Sequence, residues 1–101
     1  MADLKTLSFE QFEPCLMQQF VVTPKEHKPF HLQLIAVDKR GDFDPDFADR
    51  QAFSLIFRGP YEPVLPQQIW SLAHEAFGEL DIFLVPIGPD KKGMRYEAVF
   101  T

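Results

Sequence analysis

Two histidines, His27 and His31, have the spacing with which a helix holds a metal ion, one turn apart on one face. Pro29 stands between them, and the alternating residues that follow indicate a strand rather than a helix. Four residues of strand separate two side chains by roughly 13 Å, which is too far for shared coordination. The third histidine, His74, would have to come from a distant part of the chain. We therefore assign no metal ion and expect surface histidines.

Carboxylates recur between Asp42 and Asp49 at the first, third and fifth positions of a calcium-loop pattern. The pattern then fails, because Phe47 stands where glycine is needed and Phe53 where a bidentate glutamate is needed. A solvated acidic loop is the main interpretation, and a weak calcium site of another kind stays open. Phe43 and Phe47 are apolar within this charged loop, so they either fold back on the domain or contact a partner.

Nucleophilic catalysis has few supporting residues in this sequence. Cys15 has no base beside it in sequence, and a buried structural cysteine is the common case. Ser54 and Ser71 lack the strained turn and the glycine-rich oxyanion loop that accompany a catalytic serine. Glycine-rich phosphate loops are absent as well. The sequence thus predicts no enzyme and no cofactor.

The segment from Arg58 to Tyr61 opens a proline-rich run that ends at Pro66. Such a run predicts a rigid, extended connector between two strands. Arginine and tyrosine are enriched in protein interfaces, so Arg58 and Tyr61 are candidate contacts to another protein. Phe43 and Phe47 complete the set of candidate partner-binding residues.

Length and charge limit the class of protein. The chain has 101 residues, 46 % of them hydrophobic and eleven of them Phe, which suits one domain over residues 1–101 with one modest core. A net charge of −5 disfavours nucleic acid and anionic membranes as partners. One cysteine and no secretory signal or long apolar run favour a cytoplasmic protein, and incorporation into a particle stays open.

Periodicity predicts the elements that position these residues. A short helix is predicted at 8–13, where Ser8 and Gln11 form a capping-box pattern and Pro14 limits its extension. Strands are predicted at 15–23, 30–38, 51–58, 68–74, 79–87 and 94–100. Six short strands without helical crossovers indicate a mainly β domain, a six-stranded antiparallel small barrel or sandwich.

The stretch Gly78–Gly88 is the most apolar of these strands. Leu80, Ile82 and Leu84 are predicted to face the core, where other strands supply partners. The opposite face, with Phe83, Val85 and Ile87, has one candidate cover within the chain, the N-terminal helix. If the helix packs there, the domain is self-contained; if it packs elsewhere, this face is exposed and meets another chain.

The second half of the chain contains a set of distinctive stretches: Ala52–Pro60, Leu65–Gln67, His74, Phe77–Gly78, Phe83–Pro89 and Tyr96–Phe100. Together they resemble a family of short, uncharacterised bacterial proteins, closely over residues 52–101 and loosely before them. The resemblance implies an association with phage-tail-collar-like gene clusters, and it transfers no functional residues.

From the residues and the resemblance we expect a non-enzymatic structural or protein-interaction module, an accessory of a phage-tail-like assembly. Its partner would be another protein or a second copy. The alternative is a domain that binds a small ligand or a metal ion at the barrel mouth or in the Asp42–Asp49 loop.

Overall fold

The computed structural model describes residues 7–41, 44–46 and 50–101. Its elements, in chain order, are helix α1 (Phe9–Phe12), a 3₁₀ turn (Glu13–Cys15), and strands β1 (Gln19–Val22), β2 (Phe30–Lys39), β3 (Phe53–Gly59), β4 (Gln68–His74), β5 (Gly78–Pro89) and β6 (Met94–Phe100). Within the described residues, no helix has the length and apolar character needed to cross a membrane.

The six strands form one closed antiparallel barrel in the order β1-β2-β3-β6-β5-β4, and β4 pairs back with β1. The predicted mainly β, antiparallel fold is thereby confirmed, and of its two forms the barrel is the one adopted. Every neighbouring pair is antiparallel, which matches the alternation of apolar and polar residues along most strands.

The barrel interior is filled by large apolar side chains. Leu80, Ile82 and Leu84 of β5 are almost wholly buried, as their period-two spacing predicts. Their neighbours on the other strands include Phe20, Leu32, Leu34, Leu55, Phe57, Leu72 and Tyr96, all with no exposed surface. Phe brings much apolar area with no polar atom to satisfy, so it suits the core of a chain of this size.

Helix α1 closes one end of the barrel, which we call the helix end. The fully buried Phe12 packs on Phe77 (centroids 4.7 Å apart) and on Phe53 and Phe100, which stack on each other at 4.8 Å. Ser8 begins the helix by donating its N–H to Gln11 Oε1 at 2.8 Å. A helix of four residues is unstable alone, so this aromatic packing holds it in place.

Arg50 fastens the helix end from outside. Its guanidinium lies over the rings of Phe53 and Phe100, 5.6 and 5.7 Å from their centroids. It also donates hydrogen bonds to the carbonyl oxygens of Leu7 and Thr101. One side chain therefore joins the two ends of the described chain to the aromatic cluster.

The proline-rich connector closes the opposite end, which we call the connector end. Leu65 is buried there, and its N–H donates to the hydroxyl oxygen of the buried Tyr96 at 2.9 Å. Trp70 Nε1–H donates to the carbonyl oxygen of Pro66 at 2.9 Å, which ties the connector to β4.

Two local features differ from the predicted pattern. The first strand was expected at 15–23, but Cys15 lies in the 3₁₀ turn and Met17 has a left-handed φ of 71°, so β1 begins at Gln19. In β2, strict alternation would continue the inward series of Leu32 and Leu34 to Ala36, but a bulge between Leu34 and Ala36 shifts the register, and Val37 packs against the core.

Candidate protein-interaction surface

The thiol of Cys15 is placed for packing. The residue is buried in the 3₁₀ turn, and its Sγ–H donates to the carbonyl oxygen of Gln11 at 3.8 Å. Burial raises the pKa of this thiol, which keeps it protonated near neutral pH. A protonated, enclosed thiol is a poor nucleophile.

His74 is engaged at both ring nitrogens. Its Nδ1 accepts the N–H of Ala76 at 3.0 Å, so the ring proton sits on Nε2 and is donated to Gln18 Oε1 at 2.7 Å. The ring stacks on Phe20, with centroids 4.4 Å apart. His74 thus closes the β4–β5 turn against the core.

The other two histidines lie apart from it. His27 sits in the loop after β1, with Nδ1 2.7 Å from the carbonyl oxygen of Lys28, and His31 is exposed on β2. No group of three or more potential metal-ligating side chains occurs among residues 7–41, 44–46 and 50–101.

Much of the acidic loop falls outside the described residues. Asp42, Phe43, Phe47 and Asp49 belong to that remainder, so Phe43 and Phe47 stay predicted partner contacts. Within the described part, the N–H of Asp46 donates to Asp44 Oδ1 at 2.9 Å, which is an Asx turn.

Arg58 and Tyr61 converge on the β5–β6 turn. Arg58 makes a bidentate ion pair with the Asp90 carboxylate, Nε at 2.9 Å and Nη2 at 2.6 Å from Oδ2, with an added 3.2 Å contact from Nε to Oδ1. The Tyr61 hydroxyl donates to the Asp90 carbonyl oxygen at 2.7 Å. Both residues are predicted partner contacts, and the guanidinium of Arg58 is turned toward Asp90 and largely covered.

Asp90 is the centre of this cluster. Its Oδ1 also accepts the N–H groups of Lys92 and Gly93, at 2.8 and 3.0 Å. The Arg58 hydrogen bonds, followed by the backbone donor of Lys92, lower the pKa of Asp90 to about 2. The cluster locks the connector and the β5–β6 turn together, and Tyr61 keeps half of its surface exposed.

A row of apolar side chains lies on the outer surface of β4, β5 and β6. We call Ile69, Phe83 and Val99 the outer apolar patch; they are 64 %, 48 % and 49 % exposed. Ile69 pairs directly with Phe83 across β4 and β5. The β5–β6 register, with Val85 opposite Glu97, puts Phe83 beside Val99, and these two line a depression of about 220 Å³.

The patch is exposed because helix α1 packs elsewhere. The sequence left open whether the helix covers the Phe83 face. Phe12 packs at the helix end instead, so the helix does not cover that face. From the sequence, Phe83 has one candidate cover, the N-terminal helix, whereas Ile69 and Val99 were not identified as outward apolar residues. Both are apolar residues at outward positions of alternating strands, Ile69 beside Trp70 and Val99 between Ala98 and Phe100. This pattern in the sequence could have identified them.

Two comparisons, one with curated proteins and one with solved structures, found no match to this chain. A comparison with protein families found one that spans nearly the whole barrel, over residues 7–100. The chain belongs to this family, which is described as a domain of unknown function, DUF6916.

Proposed function

We propose that this protein is a non-enzymatic interaction module that uses the outer apolar patch to bind another protein. The observation that carries the proposal is a barrel that is filled inside and closed at both ends, yet keeps three apolar side chains side by side on its outer surface. Isolated exposed apolar residues are ordinary, but a contiguous set on adjacent strands is typical of a contact surface.

The filled interior supports this proposal over ligand binding in the barrel. Phe12 occupies the helix end and Leu65 the connector end, and both are buried. Three side chains that could take part in catalysis or ligand binding have structural partners instead: Cys15 with Gln11, His74 with Gln18 and Ala76, and Asp90 with Arg58. Within the described residues no observation favours the small-ligand or metal-ion alternative, and much of the Asp42–Asp49 loop lies outside them, so we propose no second function.

The rim of the patch indicates the kind of partner surface. Asp81 and Glu97 lie on the same outer surface, on β5 and β6, but Glu97 forms an ion pair with Arg40 at 3.8 Å, and Arg50 lines the depression beside Phe83 and Val99. A partner with an apolar centre and a margin that carries charges of both signs would complement this arrangement. Such binding would weaken with added salt to the extent that the charged margin contributes.

The resemblance to bacterial proteins associated with phage-tail-collar-like clusters leads us to propose the wider setting. In it, the chain is a cytoplasmic accessory of a phage-tail-like particle, and the outer apolar patch joins it to a particle component. Tyr61, Arg58, Phe43 and Phe47 remain predicted secondary contacts.

The setting is tested by expressing a tagged chain in the cell that naturally makes it and sedimenting large particles from the lysate. The proposal expects the chain in the particle fraction, together with structural proteins identified by mass spectrometry. Recovery only in the supernatant, in cells that contain such particles, would reject the particle setting and leave the patch to be tested separately.

A further inference from the structure

The connector between β3 and β4 (residues 60–67) crosses the end of the barrel between two loops. In the strand order, β2 and β1 separate β3 from β4 on one side of the barrel, and β6 and β5 separate them on the other. The connector therefore has the β1–β2 loop (residues 23–29) on one side and the β5–β6 turn (residues 90–93) on the other.

Contacts join the connector to both of these neighbours. The Tyr61 hydroxyl reaches the carbonyl oxygen of Asp90, on the side of the β5–β6 turn. On the other side, His27 of the β1–β2 loop and connector residues 62–64 line a depression of about 550 Å³. Residues 23–29, 58–67 and 90–95 therefore form one surface, which we call the connector-end surface.

Basic residues are concentrated on the connector-end surface although the chain as a whole is acidic. Six of the ten Lys and Arg residues lie there, with three of the fifteen Asp and Glu residues. The six basic residues are Lys25, Lys28, Arg58, Lys91, Lys92 and Arg95, and the three acidic ones are Glu26, Glu62 and Asp90. The surface thus carries a net charge of +3 in a chain whose net charge is −5.

Most of this positive charge has no carboxylate partner in the part of the chain that the structure describes. Arg58 is paired with Asp90, whereas the other five basic residues form no ion pair there. Arg95 lies directly opposite Arg58 across β6 and β3, an arrangement in which like charges repel. The four lysines, two on the β1–β2 loop and two on the β5–β6 turn, are exposed. Added negative charge at this surface would therefore be stabilising.

The centre of the connector-end surface is apolar and held in shape. Tyr61 and Val64 are half-exposed on the connector, between the lysines of the two flanking segments. The three prolines of the connector restrict its backbone, and the hydrogen bonds of Tyr61 and of the Leu65 N–H fix it to β5–β6 and to the core. Such a preformed surface loses little conformational entropy when it binds.

We propose that the connector-end surface binds an acidic segment of another protein, in which Asp or Glu residues flank an apolar side chain. The apolar side chain contacts Tyr61 and Val64, and the carboxylates reach the lysines on either side. The apolar centre and Glu62 within it suit a protein segment better than nucleic acid, a uniformly charged polymer that the −5 charge of the chain also repels. This binding uses the barrel end, so it is independent of the outer apolar patch and of the particle setting.

Fluorescence anisotropy with the purified chain and a labelled peptide tests the proposal. The peptide carries one central Phe among Asp and Glu residues; two comparison peptides replace the acidic residues by Gln or the Phe by Ser. We expect the acidic peptide with Phe to bind most tightly, and its affinity to fall as salt is added. Equally tight binding of either comparison peptide overturns the proposal.

Removal of one lysine pair at a time tests where the peptide binds. Lys91→Gln with Lys92→Gln, and separately Lys25→Gln with Lys28→Gln, should each weaken binding about fivefold, because two exposed ion pairs are lost. Lys39→Gln with Arg40→Gln is the matched control, since it removes the same charge from exposed positions near the helix end and should leave the affinity nearly unchanged. An equal loss in this control overturns the proposal.

Nuclear magnetic resonance separates this surface from the outer apolar patch. Amide signals of residues 23–29 and 90–95 should shift as the acidic peptide is added, while those of Phe83 and Val99 stay in place. Absence of binding, or shifts confined to the patch, overturns the proposal without affecting the function proposed for the patch. Tighter binding of an oligothymidylate of equal charge also overturns it, because the surface would then select nucleic acid.

Discussion

At the scale of single residues, polar groups in this barrel serve to hold segments that are far apart in sequence. Tyr96 on β6 accepts the N–H of Leu65, thirty-one residues away, inside the core. Asp90 joins Arg58, Tyr61 and its own turn. The residue types of Arg58 and Tyr61 indicated a role, but only the fold shows that they share one carboxylate-bearing residue as a partner.

Substitution of Tyr96 by Phe should remove the buried acceptor of the Leu65 N–H while keeping the ring in place. We expect a loss of about 1–2 kcal/mol in the free energy of unfolding, because a buried donor is left unsatisfied. Urea unfolding measures it. Tyr61→Phe is the matched control, since its hydroxyl bond to the Asp90 carbonyl lies at the surface, and it should change stability by no more than about 0.5 kcal/mol. Equal effects of the two variants would contradict this assignment.

Asp90 should make stability depend on pH in the acid range. Its pKa in the folded chain is lowered to about 2 from an ordinary 3.8, so the carboxylate form favours folding. The stabilisation is complete above the ordinary pKa and disappears as pH falls from about 4 to about 2. Melting temperatures of wild type and Asp90→Asn should therefore differ near neutral pH and converge toward about pH 2. A difference that stays constant with pH would show that the charge of Asp90 does not matter.

At the scale of elements, alternation between turn signals was sufficient to indicate six strands and their antiparallel arrangement. The structure places β4 at Gln68–His74 and β6 at Met94–Phe100, where clear alternation lies between glycine- and proline-containing turns. The start of β1 was misjudged because Cys15 and Leu16 are apolar enough to imitate a strand, while the left-handed Met17 depends on tertiary contacts. The bulge in β2 was not predicted either, because no glycine lies between Leu34 and Ala36 to indicate it.

The position of helix α1 could not be obtained from periodicity. Its pattern shows that Phe9 and Phe12 share a side, but not which of several apolar surfaces receives them. The apolar outer surface of β5 and the open end of the barrel were both possible packing sites for the helix. The packing of Phe12 with Phe53, Phe77 and Phe100 depends on rings that only the closed barrel brings together.

Removing the Phe12 ring tests the role of this helix as the closure of the barrel. Phe12→Ala should lower the free energy of unfolding by about 3–5 kcal/mol, because the buried ring leaves a cavity among three other rings. Phe83→Ala makes the same chemical change at a half-exposed position and should cost far less. Denaturant unfolding of both variants measures the difference, and similar losses would mean that α1 does not hold the end closed.

At the scale of the whole molecule, the polar clusters described above hold segments of the barrel together, and an apolar patch lies on the outer surface of β4, β5 and β6. Large apolar side chains occupy the interior, Phe12 and Leu65 are buried at the two ends, and polar clusters hold the loops in place. Ile69, Phe83 and Val99 are apolar, adjacent and exposed. Exposure of apolar surface to water is unfavourable, so covering these side chains by another protein would be favourable. We propose that this outer apolar patch is the surface through which the protein acts.

Capture of a partner from native cells by the tagged chain, compared with Phe83→Glu, tests that claim most directly. Val64→Glu is the matched control, because Val64 is also 48 % exposed but lies in the connector, away from the patch. Thermal melts establish first that both variants are folded. We expect a protein that is captured by wild type and by Val64→Glu but lost with Phe83→Glu. Capture that is equally strong with Phe83→Glu would contradict it.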